Sequence, residues 1–177
     1  MNKNILAIFI AVAMGLITQS SHSQVKTKYG DETATLDGII KAYYDVVCVK
    51  KGGKVSYERD SLLHIPGVVM VGAVEKDKSG KKELKMISLS TFHRLFDPGS
   101  EQHGFYEHEI GRRTEKFGNI YHVFSAYESM DEQGGKPKDR GINSIELYND
   151  GKRFWIVSWI FDTEGNGNTI PKEYLNK

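Results

Sequence analysis

Apolar residues recur at three- and four-residue spacing in the first part of the chain and at two-residue spacing in the last part, so helices come first and strands follow. Leu36, Ile39, Ile40, Tyr43, Tyr44 and Val47 form one helical stripe. Thr35 precedes it as a candidate N-cap, and Asp37 sits in the first turn, where the helix dipole favours an acid. Gly52-Gly53 closes this helix. A second, shorter helix is expected over Tyr57 to His64, stopped by Pro66-Gly67. A third is expected over Ser90 to Phe96, stopped by Asp97-Pro98-Gly99. Between them Val68 to Val71 reads as a short buried strand and Glu75 to Lys82 as a turn. After Gly104 the pattern alternates. Phe105 to Phe117, Ile120 to Met130, Gly141 to Asn149 and Lys152 to Phe161 read as four consecutive strands. Gly118-Asn119 and Asp150-Gly151 are tight hairpin turns, and Asp131 to Arg140 is a longer exposed loop. Helices followed by an antiparallel sheet make an α+β domain, expected over residues 34–177.

Upstream of it the pattern changes its meaning. Lys3, the apolar run Ile5 to Ile17 and the polar stretch Thr18 to Ser23 have the three-part form of a secretory signal peptide over residues 1–23. The apolar run is short for a membrane span. Residues 24–33 form a polar leader. A periplasmic or secreted location follows as an expectation, with no membrane attachment after cleavage. Cys48 is the only cysteine, so no disulfide forms within the chain. A net charge of +1, with 39% hydrophobic and 27% charged residues, describes an ordinary globular domain without the basic excess that nucleic acid requires.

Three stretches carry a family resemblance. They are Gly118 to Ser129 (GNIYHVFSAYES), Arg140 to Leu147 (RGINSIEL) and Arg153 to Ser158 (RFWIVS). Behind helix-helix-strand-helix they resemble bacterial nuclear transport factor 2-like (SnoaL-like) proteins over residues 34–175. The resemblance implies a strongly curved sheet wrapped around helices as a cone with an internal cavity. Members include polyketide cyclases, steroid isomerases, dehydratases and pocketed proteins without known catalysis, so the fold alone does not choose among functions. The Asp/His pairs of the catalytic branches have no counterpart at matching places here.

Register decides which residues would meet that cavity. A two-residue turn at Asp150-Gly151 pairs Leu147 with Phe154, Ile145 with Ile156, and Asn143 with Ser158. Asn143 and Ser158 then face each other on an aliphatic wall, as polar contacts for a small organic ligand or as a mutually satisfied core pair. The opposite face carries Trp155 and Trp159, an interface for a second copy or a surface packed under a helix. By the same parity, Glu107, Glu109, Arg113 and Glu115 share a face with His122, Phe124, Ala126 and Glu128, either as an acid-base or metal group or as a self-neutralising surface. No His-x-x-x-His helix or Cys/His quartet is present, and neither metal nor cofactor is expected. The leading expectation is a homodimeric small-molecule-binding protein using Asn143, Ser158, His93 and Tyr127. The alternatives are an isomerase, cyclase or dehydratase with His93 or His122 as general base, and a protein-interaction module.

Overall fold

The computed structural model describes residues 32–175; the expected signal peptide and most of the leader lie outside them. Thr35 caps α1 (Leu36–Asp45), its Oγ1 accepting from the Gly38 N–H at 3.0 Å. The helix ends before the glycine pair because Val49 and Phe105 exchange two backbone hydrogen bonds, of 2.7 and 2.9 Å. α2 (Tyr57–Ser61) is likewise shorter than its pattern predicts. Its continuation is drawn to the sheet, where Ile65 donates to the Ile156 carbonyl and Ile156 to that of Leu63.

A hairpin of β1 (Met70–Lys76) and β2 (Lys82–Ser88) stands where the polar sequence suggests only a turn. Its alternation is masked by the charged residues of β2, most of which is exposed. α3 (Leu89–His103) runs straight through Pro98 instead of stopping before it. An interior proline costs about 3 kcal/mol or more. Tertiary bonds on the last turn offset this: Glu101 accepts from the Gly52 N–H through its carbonyl and from the Val55 N–H through its carboxylate.

The remaining strands are β3 (Tyr106–Phe117), β4 (Ile120–Met130), β5 (Asp139–Asn149) and β6 (Phe154–Thr163). The six strands form one sheet in the order β2-β1-β6-β5-β4-β3, antiparallel except where β1 meets β6. One face packs on α1. Ile39, Ile40, Tyr43 and Tyr44 meet Val71, Val123, Ile145, Leu147, Ile156 and Trp159 in a single core, each large apolar side chain contributing ~1.5–3 kcal/mol by its burial.

Two bulges change which residues face that core. β3 and β4 turn at Gly118-Asn119, with Gly118 at φ 56, and pair regularly from Phe117↔Ile120 to Gly111↔Ala126. Ile110 is then the extra residue, and pairing resumes at Glu109↔Tyr127 and Glu107↔Ser129. Arg113 and Glu115 stay on the outer face with His122 and Phe124, while Glu107 and Glu109 swing inward. The expected cluster of acids and histidine on one face is therefore split.

In the last hairpin Asn149 pairs with Phe154, not Lys152, across a four-residue turn. Asp150 shapes the turn by accepting from the N–H groups of Lys152 and Arg153. Beyond Leu147↔Ile156 the strand carries an extra residue, Val157, and pairing continues as Glu146↔Ser158, Ile145↔Trp159 and Asn143↔Phe161. The Asn143–Ser158 pair does not form. Ser158 and Ile160 turn outward, and Trp159 turns into the core at 4% exposure. The expected outward pair of tryptophans is likewise split. Trp155 remains outside, covered by the Arg153 guanidinium 3.8 Å above its ring.

Gly111 follows the first bulge because the chain end lies against it: a Cβ there would sit 2.4 Å from the Tyr174 carbonyl oxygen. Gly111→Ala is expected to lower stability by ~1–3 kcal/mol, read as a fall in the urea midpoint at unchanged slope.

Candidate functional site

The inward residues of β3 to β6 line, with α1, α2 and α3, a partly open cavity of about 180 Å³. Tyr43, Phe92, Phe96, Phe105, Trp159 and Phe161 form most of its wall. Trp159 meets Phe92 and Tyr43 edge to face, 5.0 and 5.9 Å from centroid to centroid, and Phe92 stacks on Phe96 at 5.0 Å. These ring contacts fix the wall. Glu107, Tyr127, Ser129, Asp139 and Asn143 bring polar groups to the cavity from β3, β4 and β5, and Asp60 brings a carboxylate from α2.

A directed hydrogen-bond chain holds Glu107 and Asn143. The Asn143 Nδ2 donates to Glu107 Oε1 at 3.3 Å and to Tyr44 Oη at 3.2 Å. Tyr44 Oη lies 2.7 Å from Ser125 Oγ, and Ser125 donates to Glu109 Oε1 at 2.7 Å. Ser125 has one proton, committed to the Glu109 carboxylate, so Tyr44 must be the donor to Ser125. The order Asn143→Tyr44→Ser125→Glu109 follows, anchored beyond Glu109 by Arg112, 3.7 Å away. Both amide hydrogens of Asn143 are thus spent on protein. Its oxygen, Glu107 Oε2 and the Tyr127 hydroxyl receive no hydrogen bond from the described residues, and all three residues line the cavity.

Burial pushes the Glu107 carboxyl up to about 8, against the opposing bond from Asn143 and with help from the Asp139 charge. Asp139 is itself raised by burial, with the Arg140 backbone N–H opposing. Burial also raises the Tyr127 hydroxyl, reinforced by Glu107, so that it stays a neutral donor.

The expected histidines do not reach the cavity as bases. His93 is 3% exposed, with Nε2 2.9 Å from Asp60 Oδ2 and Nδ1 3.0 Å from both Asp97 oxygens. Both nitrogens face carboxylates, which calls for a proton on each. Burial works against that charge, but the two aspartates outweigh it and hold the pKa above its usual value. His93 therefore stands behind Asp60 as an imidazolium that orients the carboxylate. His122 lies on the outer face, with Nε2 2.9 Å from Ser144 Oγ. Of the four expected ligand contacts, Asn143 and Tyr127 line the cavity, Ser158 faces away, and His93 is one layer behind. Glu107, Asp139, Asp60, Trp159 and Phe161 were not expected there. The only sequence signal for any of them is Gly111, since a glycine inside a strand marks a bulge and thereby a change of face. Among the described residues no three His, Cys, Asp or Glu side chains group to hold a metal ion.

No protein-family model matches the sequence, and no curated protein does. Solved structures do match. The β subunit of a candidate aromatic-ring-hydroxylating dioxygenase from Novosphingobium aromaticivorans is similar at a TM-score of 0.51 and 11% identity, over 78% of this chain and 90% of that one. An NTF2-like protein of unknown function from Methylobacillus flagellatus is similar at 0.47 and 10%, over 71% and 86%. Another, from Silicibacter pomeroyi, is similar at 0.45 and 15%, over 73% and 93%. At 11% identity the likeness to the dioxygenase β subunit is one of fold alone.

Proposed function

We propose that the protein binds a small organic molecule in the aromatic-walled cavity, with Asn143, Tyr127 and Glu107 as its polar contacts. The observation that carries this reading is that Asn143, Tyr127 and Glu107, whose Oδ1, hydroxyl and Oε2 receive no hydrogen bond from the described residues, all line a largely aromatic cavity of about 180 Å³. An apolar wall with a few placed polar groups is what a small-molecule pocket requires. The signal-like residues 1–23 support a site of action in the periplasm or outside the cell.

Benzyl alcohol, an aromatic ring with one hydroxyl, is a suitable probe. Saturable binding by calorimetry is expected, weakened about tenfold or more in Asn143→Leu, since one lost buried hydrogen bond is worth ~1.4 kcal/mol. Unchanged affinity in that variant removes Asn143 from the site.

A second reading rests on Glu107. A carboxyl titrating at about 8 inside a cavity, with the Tyr127 hydroxyl free to donate, suits proton abstraction beside a carbonyl and support of the developing oxyanion. Such an activity rises as pH climbs through about 8, when the carboxylate forms, and is absent in Glu107→Gln. Exchange of α-protons of small ketones, followed by NMR in deuterated water, distinguishes it from binding alone.

A further inference from the structure

The cavity's second polar pole carries information about its guest. Resting on the small-molecule reading above, we infer that the cavity selects an organic cation, a small aryl- or alkylammonium ion, whose N–H donates to the unengaged oxygen of Asp60.

Asp60 lines the cavity at 2% exposure. Its Oδ2 accepts from His93, whereas its buried Oδ1 has no hydrogen-bond partner. His64 is the nearest candidate, with Nδ1 3.4 Å from Oδ1, but its protons are accounted for. The Trp159 indole can only donate, so its 3.3 Å contact makes His64 Nε2 an acceptor. The single proton is then on Nδ1, which lies 2.9 Å from the Asp60 backbone carbonyl. With that proton directed at the carbonyl, His64 has nothing left for Oδ1. Buried carboxylate oxygens are ordinarily bonded, and an orphan of this kind calls for a group from outside the chain.

The charge around the pole has one sign. His93 supplies one positive charge, shared between Asp60 and Asp97, so this trio retains a net negative charge. The cavity lining adds the Asp139 carboxyl and contains no lysine or arginine, while Glu107 keeps its proton at pH 7. An anionic guest would find no cationic side chain in the lining to pair with. A cation meets Asp60 at its nitrogen and aromatic rings along its body, among them Phe92 and Trp159, and ring faces attract cations strongly where water is excluded. Size agrees: an apolar cavity of about 150 Å³ takes up benzene, so about 180 Å³ admits a ring with a one-carbon ammonium arm.

The test compares three probes of nearly equal shape by calorimetry at pH 7: benzylamine as cation, benzyl alcohol as neutral isostere and benzoate as anion. Benzylamine is expected to bind at least tenfold tighter than benzyl alcohol, with benzoate weakest. Asp60→Asn is expected to bring benzylamine to the level of benzyl alcohol. Equal affinity for benzylamine and benzyl alcohol, or a preference for benzoate, overturns the charge selection while leaving the pocket standing. If none of the three binds, the small-molecule reading falls with it. A folded Asp60→Asn that keeps the preference overturns the assignment to Asp60. Should that variant not fold, the ranking of the three probes on the unaltered protein decides.

Discussion

Glu107→Gln is expected to stabilise the protein above pH 8 by several kcal/mol and to change it little below pH 4.5. The folded carboxyl keeps its proton up to about 8, whereas an unhindered glutamate releases it near 4.5. Between those values the folded chain holds a proton that the unfolded chain has already lost. The stability tied to Glu107 is therefore full below 4.5, declines through the interval and is gone above 8. At ~1.4 kcal/mol per unit the whole interval amounts to ~5 kcal/mol, reduced somewhat because the residue is only half-buried. A glutamine keeps an oxygen to accept from Asn143 and has nothing to titrate. Urea unfolding of both proteins at half-unit steps from pH 4 to 9 measures the difference directly. The two stability curves should coincide at the acid end and separate steadily toward pH 8. Parallel curves would mean that the Glu107 carboxyl is open to water and that the cavity's polar end is not enclosed.

That glutamate also shows where sequence reading stops. The stripe of α1, the cap at Thr35 and the four long strands are legible because each rests on a local period or a local hydrogen bond. The β1–β2 hairpin is not. Its outward side chains are charged and Met70, Leu84 and Met86 are exposed, so the alternation that marks a half-buried strand is missing. The third helix outruns its proline because contacts from residues 52 and 55, far away in sequence, hold its end. For the site the difficulty is sharper. Facing in a strand is a matter of parity, and one extra residue inverts every side chain beyond it. The Ile110 bulge has a neighbour, Gly111, that hints at it. The Val157 bulge lies in an unbroken apolar-aromatic run and has no such mark. Asn143 and Tyr127 are legible because neither β4 nor β5 carries the extra residue. Glu107 and Trp159 are not, because each lies beyond the bulge when its strand is followed from the hairpin turn.

The bulge in β6 can be tested by two neighbouring substitutions whose effects should differ by an order of magnitude. Trp159 is 4% exposed, stacks edge to face with Tyr43 and Phe92, and donates its indole N–H to His64 at 3.3 Å. Trp159→Ala removes that packing, enlarges the cavity and strips His64 of a buried partner. A loss of ~3–5 kcal/mol is expected from the packing alone, and the orphaned imidazole nitrogen adds ~1–3 kcal/mol. Trp159→Phe retains most of the ring contact, so the part of the loss that remains in it belongs to the hydrogen bond. Ser158 pairs with the exposed Glu146 on the outer face, and Ser158→Ala should stay within ~0.5 kcal/mol of the parent. A regular strand would reverse the pattern, burying Ser158 opposite Asn143 and leaving the tryptophan to water. Thermal or urea unfolding of the three variants measures which parity holds. The wall opposite Asn143 depends on it: an outward Trp159 would take Phe161 with it and leave the polar end of the cavity without its aromatic enclosure.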